Sequence, residues 1–427
     1  MTGRGIRWWA SLLSLVAIIA WESPCSSKLV IDVENPNLDK MPIAIPDFVS
    51  DSSTPLHGRD LAAILKNDLA MTGLFQIVES QNFPIITGGD PDFDHWSRLG
   101  VQALAAASFH ISGDELVLEA RLYDVPLRRV ELGKRFRGKA QDHRRMIHRF
   151  GDLVMERLTN VLGCFSSRIA FAGEAPSREI YFMDFDGHNL TQATSNRTIN
   201  LSPDWSPDGR SLLFTTYLHN KPDLWLWDIF ARQGRPVSTK PGLNASGRFS
   251  PNGQTLAASM SFQGIPQIYE LTIEGHIIKR LTSGRGNDIS PTWSPDGSAI
   301  AFVSDQAGSP QIYVVAVNGG QPRRLTFQSN YNTDPDWSPR GDCIAFTARI
   351  DGRFQICTMK LDGTDFRILT DTGSNQEPAW SPDGRMIAFS SNRKGQKLIY
   401  VMDAHGRIQV PVSRIPGKAP AWSRNYQ

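Results

Sequence analysis

The sequence predicts a mainly β protein in which a six-bladed β-propeller follows a smaller α/β (α+β) domain. A unit of 42 to 44 residues recurs along the second part of the chain, and residues 28–163 lack that unit. Repeats of this length that contain four short strands each are typical of propeller blades. The aromatic residues that mark the repeated unit are Trp205, Phe249, Trp293, Trp337, Trp380 and Trp422.

Each repeated unit contains four short strand-like segments, which we interpret as the four strands of one blade. In the unit that begins at Trp293, Pro295 presets the backbone for a turn and Gly297 tolerates a positive φ, so a tight turn joins the first two strands. Residues 299–303 are apolar on both faces, as expected for a strand covered by blades on either side. Trp293 is expected to wedge between neighbouring blades.

The two ends of the repeat region predict how the ring closes. The first blade has strand-like segments at Ile169, Ile180 and Leu190 but no aromatic Ser-Pro segment before them, whereas the chain ends on an additional Trp422-Ser423. The C-terminal segment is therefore expected to supply the inner strand of the first blade, which removes the open edge of an incomplete ring. The propeller is expected to occupy residues 164–427.

The preceding domain, residues 28–163, mixes helical and strand patterns. Leu61, Ile64, Leu65 and Leu69 share one side of a helix that ends at Gly73. Strands are expected over residues 28–33, 43–48, 75–78, 101–111, 115–123 and 129–137, and helices over residues 58–72, 93–99 and 141–162.

Residues 1–27 have the layout of a secretory signal peptide. Arg4 and Arg7 precede an apolar run over residues 8–21, and small residues follow it. The run is shorter than the roughly 20 residues that span a bilayer, so an uncleaved anchor is disfavoured. A lipid-modified Cys25 is disfavoured by the three residues before it. We expect cleavage after residue 26 or 27, no direct membrane span and a periplasmic location.

Composition and motifs argue against several classes of function. The formal net charge of +2 provides no general attraction for nucleic acid. Cys164, Cys343 and Cys357 are expected to be unpaired, small buried residues. The sequence contains no GxSxG, HExxH, GxGxxG or Walker motif, so we expect no catalytic residue, cofactor or bound metal. His143 and His148 are five apart on a helix and therefore face different directions, and the arginines around them are expected to form a solvated face. Asp204, Asp208 and Asp296 are interpreted as turn residues.

The propeller topology predicts where recognition takes place. The tight turns of every blade emerge on one face, and the longer loops, such as residues 215–222, 304–310 and 390–395, emerge on the other. Five polar residues precede the blade aromatics by five positions, and we expect them to ring the channel mouth on this second face, either capping turns locally or contacting a partner or an ion. Candidate partner-binding residues on this face are Asn200, Asn244, Asp288, Asp305, Gln306, Asn332 and Asn375.

The whole pattern resembles the TolB family, periplasmic components of the Tol-Pal envelope system. The most specific similarity is FVSDQAGSPQIY at residues 302–313 together with VNGG at residues 317–320. The resemblance implies that the long-loop face binds the lipoprotein Pal and that the start of the mature chain binds TolA, with other outer-membrane proteins as further partners. It also implies a monomer that supports outer-membrane invagination during division and envelope integrity. The residues placed in the TolA-binding segment are Lys28, Leu29, Val30, Ile31, Asp32 and Val33.

Two other functions remain open at the level of sequence. A metal-dependent propeller hydrolase would require an ion in the channel, which the ring of Asn and Asp permits but does not demand. A propeller that binds peptidoglycan or carbohydrate would use exposed aromatic side chains on the long-loop face, for which Tyr217 and Tyr331 are the candidates.

Overall fold

The computed structural model describes Ile31 and residues 39–50, 56–79, 83–84, 86, 89–174 and 178–425. The predicted signal peptide and the predicted first strand, apart from Ile31, lie outside these residues. None of the described helices is long and apolar enough to cross a membrane.

The N-terminal domain is built on one mixed sheet. Its strands are β1 (Met41–Ala44), β2 (Val49–Ser50), β3 (Phe75–Val78), β4 (Ala103–Ser112), β5 (Glu115–Asp124) and β6 (Arg129–Lys139). Its helices are α1 (Gly58–Met71), α2 (Phe93–Arg98) and α3 (His143–Thr159), with a 3-10 turn at Ala140–Asp142. The strands are ordered β3-β1-β4-β5-β6, and β2 also pairs with β4. β1 runs parallel to β3 and β4, whereas β4, β5 and β6 are antiparallel.

Two predicted elements have different bounds in the structure. The strand expected over residues 43–48 is β1, which ends at Ala44, because Pro46 has no N–H to donate to a neighbouring strand. The helix expected over residues 141–162 ends at Thr159, because Asn160 adopts a left-handed conformation with φ 58°. The sequence did not predict β2, and the other described α-helices and strands of this domain match their predicted bounds to within two residues.

The main hydrophobic core joins the two domains. Leu65 of α1 and Phe150 of α3 are fully buried against one face of the sheet, in a cluster that also contains Phe171 and Met386 of the propeller. Burying a large apolar side chain stabilises a fold by about 1.5–3 kcal/mol, so this shared cluster fixes the N-terminal domain against the ring.

Six four-stranded antiparallel sheets form the propeller, as predicted. Blade 1 contains β30 (Gly417–Trp422), β7 (Arg168–Gly173), β8 (Ile180–Asp184) and β9 (Thr191–Gln192); blade 2 contains β10 (Asn200–Trp205), β11 (Ser211–Thr216), β12 (Asp223–Asp228) and β13 (Gln233–Ser238). Blade 3 contains β14 (Asn244–Phe249), β15 (Thr255–Met260), β16 (Gln267–Thr272) and β17 (Ile277–Arg280); blade 4 contains β18 (Asp288–Trp293), β19 (Ala299–Ser304), β20 (Gln311–Ala316) and β21 (Arg323–Arg324). Blade 5 contains β22 (Asn332–Trp337), β23 (Cys343–Ile350), β24 (Arg353–Lys360) and β25 (Arg367–Ile368); blade 6 contains β26 (Asn375–Trp380), β27 (Met386–Lys394), β28 (Gln396–Asp403) and β29 (Gln409–Pro411).

The C-terminal strand closes the ring, which confirms the prediction. β30 pairs with β7, and Trp422 lies opposite Ile169. Beyond the strand, the N–H of Ser423 donates to the carbonyl of Arg168 at 2.8 Å, and the N–H of Arg168 donates to Ser423 Oγ at 2.8 Å. The first and last parts of the propeller are thus joined within one sheet. The first propeller strand begins at Arg168, and the domain boundary at residue 163 stays a prediction.

The repeated tryptophans pack between blades, as expected. Trp337 contacts a cluster that contains Ala301 of blade 4 and both Ile344 and Phe346 of blade 5. Trp205, Trp293, Trp337 and Trp380 are only 5–9% exposed. Cys164 and Cys357 are buried, Cys343 is half-buried, and all three are free thiols. Cys357 lies opposite Phe346 rather than Cys343, so the two cysteines of this hairpin are not cross-strand partners.

Candidate functional site

The propeller has two faces that differ in their strand connections. We call the face that carries the turns between first and second strands, and between third and fourth strands, the tight-turn face. Because the strands are antiparallel, the other connections emerge on the opposite face, which we call the long-loop face. The prediction of a loop over residues 390–395 is wrong. Strand β27 continues to Lys394, and the chain turns only at Gly395, where φ is 91°.

The N-terminal domain rests on the tight-turn face. Arg385, which follows a tight turn of blade 6, donates to Thr159 Oγ1 at the end of α3 at 2.6 Å. Asn425 Nδ2 donates to the carbonyl of Gly163 at 2.6 Å. Arg144 of α3 bonds Asp186 in a tight turn of blade 1. These contacts place the described part of the N-terminal domain against the face opposite to the long-loop face.

The five polar residues expected to ring the channel mouth are buried inside the ring wall. Asn200, Asn244, Asp288, Asn332 and Asn375 are 0–4% exposed. Each is the first residue of an inner strand. The four asparagine side chains hydrogen-bond to side chains of the preceding blade. The expectation that they line the channel mouth is therefore wrong, and the local capping alternative describes their contacts. Their role in partner contact stays a prediction, which their burial does not favour.

The contacts of Asn332 show what this column of residues does. Thr326 Oγ1 accepts from the N–H of Ile312 at 2.9 Å and donates to Gln311 Oε1 at 2.8 Å. Asn332 Nδ2 donates to the same Gln311 oxygen at 2.8 Å and to the carbonyl of Ser329 at 3.0 Å. The network ties the third and fourth strands of one blade to the first strand of the next. The same network recurs at Gln355, Ile356, Thr370, Thr372 and Asn375.

Asp288 is the only carboxylate in this column, and its Oδ1 is buried without a hydrogen-bond partner. Burial raises the pKa of Asp288, although Ser304 and Thr282 partly oppose the shift. A raised pKa means that the folded state binds more protons, so stability falls as pH rises from about 4 through the folded value. Asp288→Asn, which restores the amide of the other blades, is expected to stabilise the fold by about 1–2 kcal/mol at pH 7. Urea unfolding at pH 5 and pH 7 checks this; equal effects at both pH values would contradict it.

Asp305 and Gln306 are the accessible members of the predicted set. Gln306 is exposed, and Asp305 is half-buried. Asp305 accepts from the N–H and from Nδ2 of Asn287, both at 2.7 Å, which holds the two loops together. A Cβ added at Gly286 would lie 2.6 Å from the N of Gln306, so only glycine fits this close approach. Both residues lie on the long-loop face, as expected.

Sequence reasoning missed an apolar group on the long-loop face. These side chains come from four different loops and are substantially exposed: Ile199 (40%), Leu218 (39%), Ile265 (43%) and Phe327 (67%). Tyr217 and Tyr331, the candidates for carbohydrate contact, are half-buried, and Tyr331 packs against Phe354. A large apolar residue inside a polar loop could have indicated this group from the sequence. Phe327, which directly follows the Leu325-Thr326 pair, is such a residue.

The channel wall has a second feature that the repeat alignment did not show. Every inner strand has a bulge at which a non-glycine residue takes a positive φ of 49–60°: Ser202, Ser246, Ser290, Asp334, Glu377 and Ala419.

Burial and the neighbouring Glu377 raise the pKa of Asp334 to about 6. Burial raises the pKa of Asp336 to about 6, opposed by Arg248. Arg248 Nη1 bonds Asp204 Oδ1 at 3.1 Å, so Asp204 joins two blades rather than only a turn. Asp208 and Asp296 act within their turns, as predicted.

Ile31 is the only residue of the predicted TolA-binding segment that the structure describes. It is 4% exposed, and its N–H donates to the carbonyl of Leu158 near the end of α3 at 2.7 Å. Lys28, Leu29, Val30, Asp32 and Val33 lie outside the described residues. Ile31 is therefore held beside the end of α3.

A charged cluster lies buried between the domains, away from the channel. His148 Nδ1 is 2.7 Å from Asp68 Oδ2, and its Nε2 is 3.8 Å from Asp186 Oδ2. His143 instead lies at the start of α3, with Nδ1 3.0 Å from the carbonyl of Ala140, which confirms that the two histidines face apart. Arg144 is bonded to Asp186, so the expected solvated face is wrong for this arginine. Within the described residues, Asp68, His148 and Asp186 form the one group with metal-ligand spacing.

Two family models match the chain. The model described as the TolB beta propeller domain covers residues 155–426, and the model described as the TolB amino-terminal domain covers residues 29–129. The chain belongs to the TolB family. The order of the two matches agrees with the α/β domain and the six blades described above.

Curated TolB relatives and a solved TolB structure are similar to this chain. The "Tol-Pal system protein TolB" of Desulfosudis oleivorans is 39% identical over 244 residues, 55% of this chain and 56% of the relative. The protein of the same name from Geobacter sulfurreducens is 40% identical over 214 residues, 48% of this chain and 50% of the relative. The chain therefore spans about half the length of these relatives. The crystal structure of TolB from Acinetobacter baumannii has a TM-score of 0.80 at 27% identity and covers 90% of this chain and 97% of that chain.

Proposed function

We propose that this TolB-family chain is a non-enzymatic, periplasmic component of a Tol-Pal system that binds other proteins. In this role, the long-loop face of the propeller binds Pal and the N-terminal segment binds TolA. The complex supports envelope integrity and the inward movement of the outer membrane during division. The observation that carries the proposal is the group of exposed apolar side chains on the long-loop face, Ile199, Leu218, Ile265 and Phe327.

Exposed apolar side chains from four loops support the long-loop face as a protein-binding surface, and the tight-turn face carries exposed Leu190 and Phe230. Apolar side chains gathered on one face of a soluble protein mark a contact surface, and aromatic residues contribute most to such contacts. Phe327 is 67% exposed and lies under the guanidinium of Arg324, 4.6 Å from the ring centroid. The N-terminal domain covers part of the tight-turn face through Thr159 and Gly163. A rigid ring thus presents one open, partly apolar face.

The test compares two phenylalanines on opposite faces. The purified chain is titrated by calorimetry with the soluble domain of Pal from the same organism, beside Phe327→Asp and Phe230→Asp. Phe230 is a matched control because it is 63% exposed on the tight-turn face. We expect Phe327→Asp to weaken binding at least about tenfold, the effect of losing one hot-spot side chain, and Phe230→Asp to leave it unchanged.

Three results separate this proposal from its rivals. Equal binding of Pal by the two variants would contradict the assignment of the Pal site to the long-loop face. Absence of binding by the unaltered chain would overturn the Pal assignment and return attention to a metal-dependent hydrolase or a carbohydrate-binding propeller. A parallel titration with the soluble domain of TolA, using a chain that starts at residue 34, tests the N-terminal segment. Unchanged TolA binding by that shortened chain would contradict the second assignment.

A further inference from the structure

A second concave site lies on the tight-turn face, between the N-terminal domain and two blades. It is a cleft of about 300 Å³, at the lower end of the size range of small-molecule sites. One wall is the connection between α1 and β3, which contains Gly73. The other walls are the tight turns of blades 5 and 6, which carry Arg340 and His405. The cleft is separate from the long-loop face.

The first sign that this cleft has its own role is a break in the repeat at Arg340. The equivalent turn residue in four other turns is Asp208, Asn252, Asp296 or Asp383, and each accepts a hydrogen bond from the serine two residues before it. Blade 5 has Arg340 instead, and Ser338 Oγ donates to Asp342 at 2.8 Å. Asp342 has taken over the turn contact, so the turn itself does not require Arg340. Residues that break a local rule without structural need point to function.

Lys360 is a second cationic residue of the same blade, at a position where no other blade has a positive charge. It ends the third strand of blade 5, where the other blades have Asp184, Asp228, Thr272, Ala316 and Asp403. Arg340 and Lys360 both line the cleft, together with three further arginines. Two independent positions of one blade have therefore acquired cationic side chains that meet in one cavity. The arginines that complete the set are Arg367, Arg385 and Arg407.

The charges in the cleft leave a positive excess. Five cationic side chains line it against three carboxylates, Asp342, Asp365 and Asp403, which gives a net charge of +2 before His405 is counted. Within the described part of the chain, no carboxylate oxygen lies within 4.0 Å of a Lys360 or Arg385 nitrogen. Arg385 is only 8% exposed. Burial and the charges of Arg407, Arg367 and Arg340 lower the pKa of His405, although Asp403 opposes them, as expected in a positive potential.

We propose that this cleft binds a small molecule that carries a phosphate group, with Arg340 and Lys360 as its main contacts. A phosphate monoester is close to a dianion at neutral pH, which matches the net charge of the lining. Guanidinium groups bind phosphate through paired hydrogen bonds, and lysine adds a point charge. Arg340 passes over the turn of blade 6, because a Cβ added at Gly384 would lie 2.8 Å from Arg340 Cγ. The arginine is therefore held across the boundary between the blades.

The test titrates the purified chain with inorganic phosphate by calorimetry. The informative variant is Arg340→Asp combined with Lys360→Thr, because each change restores a residue found at the same position of another blade. Arg232→Asp is the matched control: Arg232 is exposed in a turn of blade 2, and its φ of 52° suits aspartate. We expect saturable binding by the unaltered chain and by the control, and an affinity at least about tenfold weaker in the double variant.

Further arms identify the source of the phosphate. Glycerol phosphate represents a soluble ligand, and vesicles of phosphatidylglycerol, compared with phosphatidylcholine, represent a lipid headgroup. Binding of either probe that the double variant loses supports the site and names its source. Lack of a saturable phosphate response in the millimolar range, or equal phosphate binding by the double variant and the unaltered chain, would overturn the proposal. Thermal unfolding of each variant shows that the loss is not a loss of fold.

Discussion

A chain that ends at Pro416 is expected to lose the cooperative unfolding of its propeller. The truncation removes β30, whose pairing with β7 joins the two ends of the ring within one sheet. It also removes Trp422, whose indole Nε1 donates to Ser167 Oγ at 2.6 Å, and the Ser423 contacts to Arg168. Blade 1 then exposes the edge of β7, and blade 6 loses its neighbour. We expect a loss of more than about 5 kcal/mol, comparable to the whole stability of many domains.

The measurement is urea unfolding followed by tryptophan fluorescence, with limited proteolysis as a second probe of the open edge. The control is a chain shortened only by its last two residues, Tyr426 and Gln427, which keeps β30 and Ser423. The control is expected to unfold like the unaltered chain. A chain ending at Pro416 that unfolds in one transition with an unchanged midpoint would show that closure contributes little, contrary to the prediction.

The sequence predicted the parts of this fold that repeat. Trp205, Trp293 and Trp337 recur at a regular spacing because each packs in the same environment between blades, so the spacing alone identifies them. Closure by Trp422 was predictable for the same reason: one missing strand and one extra strand have a single simple solution. The boundaries in the N-terminal domain were less predictable, because a single residue such as Asn160 decides where a helix ends.

The sequence did not predict the direction of individual side chains. Asn332 was expected at the channel mouth, but its amide is turned toward Gln311, because unpaired donors and acceptors in the ring wall would be costly. Position in a repeat fixes the strand, and the surrounding hydrogen-bond groups fix the orientation. Phe327 and the cleft at Arg340 were missed for a related reason: both depart from the repeat, and only the structure shows what each departure faces.

The buried cluster between the domains provides the second large expected effect. Asp186 of blade 1 lies between Arg144 and His148 of α3, and its side chain is 1% exposed. Removal of the carboxylate leaves Arg144 without the anion it is bonded to and takes away the more distant of the two carboxylates beside His148, which keeps Asp68 at 2.7 Å. Breaking a buried ion pair costs about 3–5 kcal/mol. We therefore expect Asp186→Ala to destabilise the protein by that amount and to loosen the N-terminal domain from the ring. Asp362→Ala is the matched control, because Asp362-Gly363 is the exposed Asp-Gly turn of blade 5.

The same cluster gives the effect a pH dependence with a defined sign. Burial alone would lower the pKa of His148, but Asp68 and Asp186 outweigh it and raise the pKa. The contribution of protonated His148 to the free energy of unfolding is therefore fully present below about pH 6.5. It is lost as pH rises through the pKa that His148 has in the folded protein. Burial also raises the pKa of Asp68, which gives the same sign. The other titratable groups around the cluster are Arg144, Asp152, Asp184 and His188.

Burial raises the pKa of Asp152 to about 7, so Asp152 gives stability a pH dependence of the same sign. Asp186→Ala keeps Asp152, and the contribution of Asp152 therefore cancels when the variant is compared with the unaltered chain. Urea unfolding at pH 5.5 and pH 8.5 is therefore expected to show a larger difference between the unaltered chain and Asp186→Ala at the lower pH. Asp362→Ala should differ from the unaltered chain by less than about 1 kcal/mol at both pH values. A difference for Asp186→Ala that is the same at both pH values would mean that His148 keeps one charge state, and that the contact between the domains depends on Arg144 rather than on a titrating histidine.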